Sequence, residues 1–142
     1  MPFPQVSATL ALIPFLTLGS PALEVAQNQD PYSDWQYLYE DTFESSSGES
    51  ITQEWWLNPE TRERNNLLEF TLLARRSPVS SNGTAAAVFD YVADCGALSY
   101  SMEKVTFIDG NNATIDTQTS RTVMEAADPN SNFYGVLQDL CN

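Results

Sequence analysis

Two cysteines constrain this chain more than any other feature. Cys95 and Cys141 are the only pair in 142 residues, and they sit in segments of different period. Ala85 to Cys95 reads AAAVFDYVADC, which places Phe89, Tyr91, Ala93 and Cys95 on one face of a strand. At the C-terminus the period changes: Phe133, Val136, Leu137, Leu140 and Cys141 recur at i, i+3, i+4, i+7 and i+8. That spacing predicts an amphipathic helix, with Asp128-Pro129 or Ser131 available as its cap. An even cysteine count in an exported chain reads as a single disulfide. Two free buried thiols would be the reading for a cytosolic chain. A disulfide here ties a strand face to a helix stripe, and closing so long a loop limits the unfolded ensemble by about 4 kcal/mol in the chain-entropy model.

The N-terminal segment supports export. Met1 to Leu23 carries no charged side chain, and Ala8 to Leu18 (ATLALIPFLTL) is a mostly apolar run of signal-peptide size. Ser20 and Ala22 suit the −3 and −1 positions of a cleavage site; a second cut after Ala26 would place Glu24 at −3. The run is short for a bilayer span and carries Pro14 in its middle, so a stable membrane span is not expected. No cysteine follows it to accept a bacterial lipid anchor. The expected organisation is a signal peptide over residues 1–26, a flexible lead-in over 27–33 and one domain over 34–142. The expected location is extracytoplasmic: periplasm, cell surface or medium.

Within that domain, strand signals dominate. Trp35 to Phe43 alternates, with Trp35, Tyr37, Tyr39 and Phe43 on one face and Gln36, Glu40 and Thr42 on the other; Leu38 and Asp41 break the pattern. Ile51 to Leu57 reads as a second strand ending in Trp55-Trp56. Asn58-Pro59-Glu60 offers a cap followed by proline, which predicts a short helical turn stopped at Asn65-Asn66. Leu67 to Ala74 (LLEFTLLA) is apolar on both faces, as in a central strand. Leu98 to Ile108, the Asp109-Gly110-Asn111-Asn112 turn and Ala113 to Thr119 read as a hairpin. The expected fold class is α+β: an antiparallel sheet with a C-terminal helix packed on one face and tethered by the disulfide.

Charge narrows the function classes. Six Lys and Arg stand against nineteen Asp and Glu, a formal net charge of −13, and histidine is absent. The ordinary neutral-pH proton shuttle is therefore missing, which excludes a Ser-His-Asp triad, a Cys-His pair and an imidazole metal site. The acidic surface repels phosphate backbones, so nucleic acid is not an expected partner. Glu40 and Asp41 are neighbours on a strand and point to opposite faces, while Asp90 and Asp94 share the face away from Phe89 and Cys95. The segment from Asp109 to Asp116 holds several oxygen ligands, but its glycine falls at position 2 and Ser120 at position 12, unlike a calcium-binding loop. No metal or cofactor is expected. Asn82-Gly83-Thr84 and Asn112-Ala113-Thr114 fit the glycosylation sequon and read as turn residues in a bacterium.

The residues that point to a partner are Trp55, Trp56, Arg75 and Arg76. Tryptophan and arginine dominate binding hot spots, and Arg75-Arg76 is the one basic doublet on an acidic chain. The bland alternative places one tryptophan in the core and pairs the arginines with Glu60, Glu63 or Glu69.

Three segments resemble the surface-adhesin protein E family of small exported bacterial proteins. They are Asp90-Tyr91-Val92-Ala93-Asp94-Cys95, the Tyr100 strand with its Asp109-Gly110 turn, and Pro129-Asn130-Ser131 through Leu140-Cys141. The likeness covers Trp35 to Cys141 and is greatest to relatives from free-living bacteria, cyanobacteria among them. It implies an antiparallel sheet whose concave side carries a C-terminal helix held by a disulfide. Founding members are lipid-anchored adhesins, an attachment that this chain has no cysteine to make. The expectation is an exported, non-enzymatic binding module of the cell surface or periplasm, taking a protein or other envelope partner. The alternatives are a carboxylate-dependent hydrolase, which would need two converging carboxylates in a cleft, and a structural envelope protein.

Overall fold

The computed structural model describes residues 30–120 and 123–142. The expected signal peptide and residues 27–29 of the lead-in lie outside the described residues, while 30–33 form a turn in which the Ser33 amide donates to the Asp30 carbonyl at 3.2 Å. The domain spans Asp34–Asn142. Its strands are β1 (Gln36–Glu44), β2 (Ser50–Leu57), β3 (Arg62–Arg64), β4 (Leu67–Ser77), β5 (Ala86–Asp94), β6 (Ser99–Ile108), β7 (Thr114–Thr119) and β8 (Glu125–Ala126), followed by helix α1 (Asn132–Cys141). The sheet order is β1-β2-β4-β5-β6-β7; β3 pairs with β4 and β8 with β6, and every pairing is antiparallel. The molecule is thus largely sheet with one C-terminal helix among the described residues, and the expected α+β class holds only in that loose sense.

Strand β4 is central because its sequence leaves no polar face in the middle: Leu72, Leu73 and Ala74 are all buried, so both sides of the sheet are covered there. Adjacent residues face opposite ways. The register then puts Trp55, Leu57, Phe70, Leu72, Ala74, Arg76, Ala87, Phe89, Tyr91 and Phe107 on one side. Trp56, Leu73, Arg75, Glu69, Thr71, Asp90 and Lys104 take the other.

Helix α1 lies on the first of these faces. Ser131 caps it: the Tyr134 amide donates to the Ser131 hydroxyl at 3.2 Å, and that hydroxyl donates to the Asp128 carbonyl at 2.7 Å. Leu137 is fully buried in a cluster with Leu57, Phe70, Leu72, Ala93 and Ala127. Phe133 sits against Tyr100 at 4.6 Å, Tyr91 at 5.2 Å and Phe70 at 6.3 Å. At the far end Cys141 is bonded to Cys95, with Cα atoms 5.4 Å apart. These contacts place the helix over the half of the face built from Phe70, Tyr91, Ala93 and Tyr100. The half carrying Ile51, Arg76, Ala87 and Phe107 lies beyond them.

Three local readings change. The Asn58-Pro59 segment does not start a helix. Instead the Asn58 carboxamide oxygen accepts the Glu60 amide at 3.0 Å, and the chain enters β3. Asn65 and Asn66, at φ of 55° and 66°, form the tight turn that returns β3 against β4, since two consecutive left-handed residues match the twist of a hairpin. In β1 the register shifts between Tyr37 and Tyr39, so Leu38 is a bulge residue. Tyr37 therefore pairs with Trp56, while Tyr39 pairs with Trp55 on the opposite face.

Candidate functional site

The four residues singled out for a partner divide by strand alternation into two pairs. Trp55 and Arg76 lie on the helix-bearing face, Trp56 and Arg75 on the reverse face. Trp55 is stacked between Tyr39 at 6.0 Å and Phe89 at 5.6 Å. It reaches Phe89 across β4 because its neighbour in the register there is Ala74, whose methyl group leaves the space above the strand clear. Phe89 in turn stacks on Tyr91 at 6.0 Å, which makes a row of four rings, Tyr39, Trp55, Phe89 and Tyr91, running toward α1. Trp56 meets Tyr37 edge-on at 5.1 Å, and Tyr37 is 47% exposed. Both indole N–H groups are buried without a partner among the described residues, at a cost of about 1–3 kcal/mol each. Burying a ring of roughly 150–250 Å² offsets this at about 25 cal/mol per Å². The two tryptophans thus contribute apolar area, not hydrogen bonding.

The arginines have different settings. Arg75 stands opposite Glu54 in the register. Arg76 donates through Nε to the Pro78 carbonyl at 2.9 Å and lies 3.9 Å from the Glu49 carboxylate. Its side chain is only 22% exposed, held low against the sheet.

Two recesses adjoin this framework. The larger, about 620 Å³, is lined on the reverse face by Arg62, Glu69, Thr71, Asp90, Glu103 and Lys104. A bulge contributes to it: the register jumps between Asp90 and Tyr91, leaving Glu103 without an opposite residue beside Lys104. This is where the two converging carboxylates of a hydrolase would have to be. Glu69, however, has both oxygens occupied, Oε1 by Arg62 at 2.8 Å and Oε2 by Arg64 at 2.6 Å. Asp90 accepts the Thr71 hydroxyl at 3.0 Å and faces Lys104 at 3.7 Å. Carboxylates so bound hold neighbouring strands together. Asp94 shapes the turn that follows β5, where its Oδ1 accepts the Gly96 and Ala97 amides at 3.0 and 3.4 Å. Asp109 is similar, accepting the Asn111 and Ala113 amides at 2.8 and 3.0 Å.

The second recess, about 500 Å³, is on the helix-bearing face beyond α1. Its lining comes from Arg76 at the end of β4, Phe107 on β6 and Ile115, Asp116 and Gln118 on β7. Ala74 and Ala87, which pair across β4 and β5, are buried. The surface is recessed between Arg76 and Phe107, and Asp116 and Gln118 on β7 form the outer wall. The loop from Ser80 to Thr84 forms the remaining rim. It is fixed by the Asn82 carboxamide oxygen, which accepts the Thr84 amide at 3.1 Å, the Thr84 hydroxyl at 2.8 Å and the Ser80 hydroxyl. Gly83, at φ +89°, permits the tight return.

Burial raises the phenol pKa values along the aromatic row. Tyr39 is pushed up to about 12, chiefly by burial and secondarily by the nearby Asp41 carboxylate. Tyr91 is raised further, by burial first and then by Tyr100. These rings are neutral surfaces at any physiological pH.

No family model, curated protein or solved structure matches the chain.

Proposed function

We propose that this protein is an exported, disulfide-braced binding module of the cell surface or periplasm, similar to surface-adhesin protein E and its relatives, and that it captures an envelope component without transforming it. The observation that carries this reading is the shared face of Trp55 and Arg76. Trp55 stands in a stacked aromatic row, and on the same side of the sheet Arg76 lines a recess bounded by Phe107 and β7. Aromatic rings held in place by stacking, with a guanidinium beside them, supply contact area at low cost in side-chain entropy. The Cys95–Cys141 disulfide supports an oxidising, extracytoplasmic location. The acidic surface supports solubility there. A hydrolase draws little support from the reverse-face trough, where Arg62 and Arg64 occupy both oxygens of Glu69.

The test is affinity capture from the outer fraction of the source organism, read by mass spectrometry. The Trp55→Ala/Arg76→Ala protein should lose the captured component, while Trp56→Ala/Arg75→Ala, altered on the reverse face, should retain it. Equal capture by both double variants would remove the helix-bearing face from the reading. Capture by neither variant nor the parent would leave a structural envelope role.

A further inference from the structure

We infer that the recess between Arg76 and Phe107 is a saccharide site, accepting a short, neutral, hydroxyl-rich chain. This inference rests on the binding-module reading above and names the chemistry of its ligand. Its first basis is shape. The volume of about 500 Å³ falls within the roughly 300–1,000 Å³ usual for small-molecule sites, and Phe107 and Ile115 give its lining an apolar part. An aromatic side chain in such a lining suits the C–H face of a pyranose.

The second basis is how the polar groups are used. On the loop side, Asn82 commits its carboxamide oxygen to Ser80 and Thr84, so the group it turns outward is the Nδ2 donor. Arg76 commits Nε to the Pro78 carbonyl and places Nη2 3.9 Å from the Glu49 carboxylate, and its guanidinium carries more N–H donors than these two contacts use. On the β7 side, Gln118 donates one Nε2 hydrogen to Asp116 Oδ2 at 3.4 Å, which leaves the second hydrogen as a donor and its carbonyl oxygen and Asp116 Oδ1 as acceptors. Donors and acceptors therefore both line the recess. Vicinal hydroxyls can satisfy both at once, because each donates one hydrogen bond and accepts others. A carboxylate or an ammonium group can satisfy only one kind.

The third basis is charge. Arg76 faces Glu49 and shares the recess with Asp116, so no positive charge is left over there, while the whole chain carries −13. A uronic acid, sialic acid or phosphorylated sugar would meet no local surplus of positive charge and a repulsive surface around it. In the reverse-face trough, Glu69 and Asp90 are already paired with Arg62, Arg64 and Lys104.

The experiment is titration of the intact oxidised protein with tetrasaccharides of glucose, galactose and N-acetylglucosamine, alongside a uronic-acid tetrasaccharide, read by calorimetry. At least one neutral probe should bind at millimolar concentration or below. Gln118→Ala, on an exposed edge strand, should weaken that binding by about fivefold while leaving the melting temperature unchanged, the loss expected of one hydrogen bond. Phe107→Ala should abolish it. Binding of the uronic-acid probe alone, or equal binding by the Gln118→Ala protein, would overturn the site. If no neutral probe binds yet envelope capture persists and depends on Trp55 and Arg76, the saccharide inference falls and the binding-module reading stands. If neither occurs, both fall.

Discussion

At the scale of single residues, the most consequential atoms are those that a strand pattern alone cannot place. Trp55 and Trp56 are neighbours in sequence and differ entirely in surroundings: one is inside a four-ring stack, the other against a half-exposed tyrosine. Tyr39 shows what the stack does to chemistry. Its phenol is raised to about 12, so the folded state holds the proton more tightly than the unfolded chain, whose tyrosine titrates near 10.0. Stability from this source is complete below about pH 10 and is lost as pH rises through about 12. The melting temperature should fall over that interval in the parent protein and fall less in Tyr39→Phe; parallel curves would mean that Tyr39 does not report the stack. Alternation made the division of the tryptophans legible in advance. It did not reveal that Leu38 is a bulge residue, and so it placed Tyr37 with Tyr39. One added residue moves every side chain beyond it to the other face, and no composition signal marked this one.

At the scale of elements, the terminal helix was the most legible part, because four apolar residues and a cysteine at helical spacing agree with a serine cap. Leu137 is the residue through which α1 is packed, fully buried against Phe70, Leu72 and Ala93. Leu137→Ala should lower unfolding free energy by about 2–5 kcal/mol in denaturant titration. Cys141→Ser should cost a similar amount, about 2–5 kcal/mol, and reductant should reproduce that loss in the parent protein while leaving the variant unaffected. Equal melting of parent and variant would show that the Leu137 contacts hold the helix without the tether. Elements read less well where local signals competed. Asn58-Pro59 carries a good helix start, yet β4 offers a sheet edge beside residues 62–64, and Arg62 and Arg64 gain Glu69 by pairing there. Long-range pairing outweighed a weak local preference. The recess was invisible for a related reason: its lining is assembled from β4, the loop over 80–84, β6 and β7, which no local pattern brings together.

At the scale of the whole molecule, the question is what an excess of thirteen negative charges does to a fold this small. Glu49, Glu69 and Asp90 pair with Arg62, Arg64, Arg76 and Lys104. With six basic residues against nineteen acids, most carboxylates must have one another as charged company. Glu40 and Glu54 even stand opposite each other across β1 and β2, a like-charge pair that weakens a sheet. The surface pairs are worth about 0–1 kcal/mol each, and salt screens attraction and repulsion alike. Repulsions outnumber attractions here, so screening should stabilise on balance. The melting temperature should therefore rise when ionic strength goes from about 0.01 M, where the screening length is about 30 Å, to about 0.15 M, where it is about 8 Å. A fall would show that the Arg62–Glu69–Arg64 clamp and its fellows outweigh the general repulsion. Lysine substitution at Glu40 should diminish the rise by relieving one identified repulsion, which separates the field of the whole protein from effects of salt on apolar burial. If Glu40→Lys keeps the full salt response, burial and not charge governs it. The same acidity bears on function: a partner that carried positive charge would be drawn to the entire surface, whereas a neutral one must be recognised by the recess itself. Binding of a neutral saccharide should accordingly stay constant over the ionic strengths that move the melting temperature.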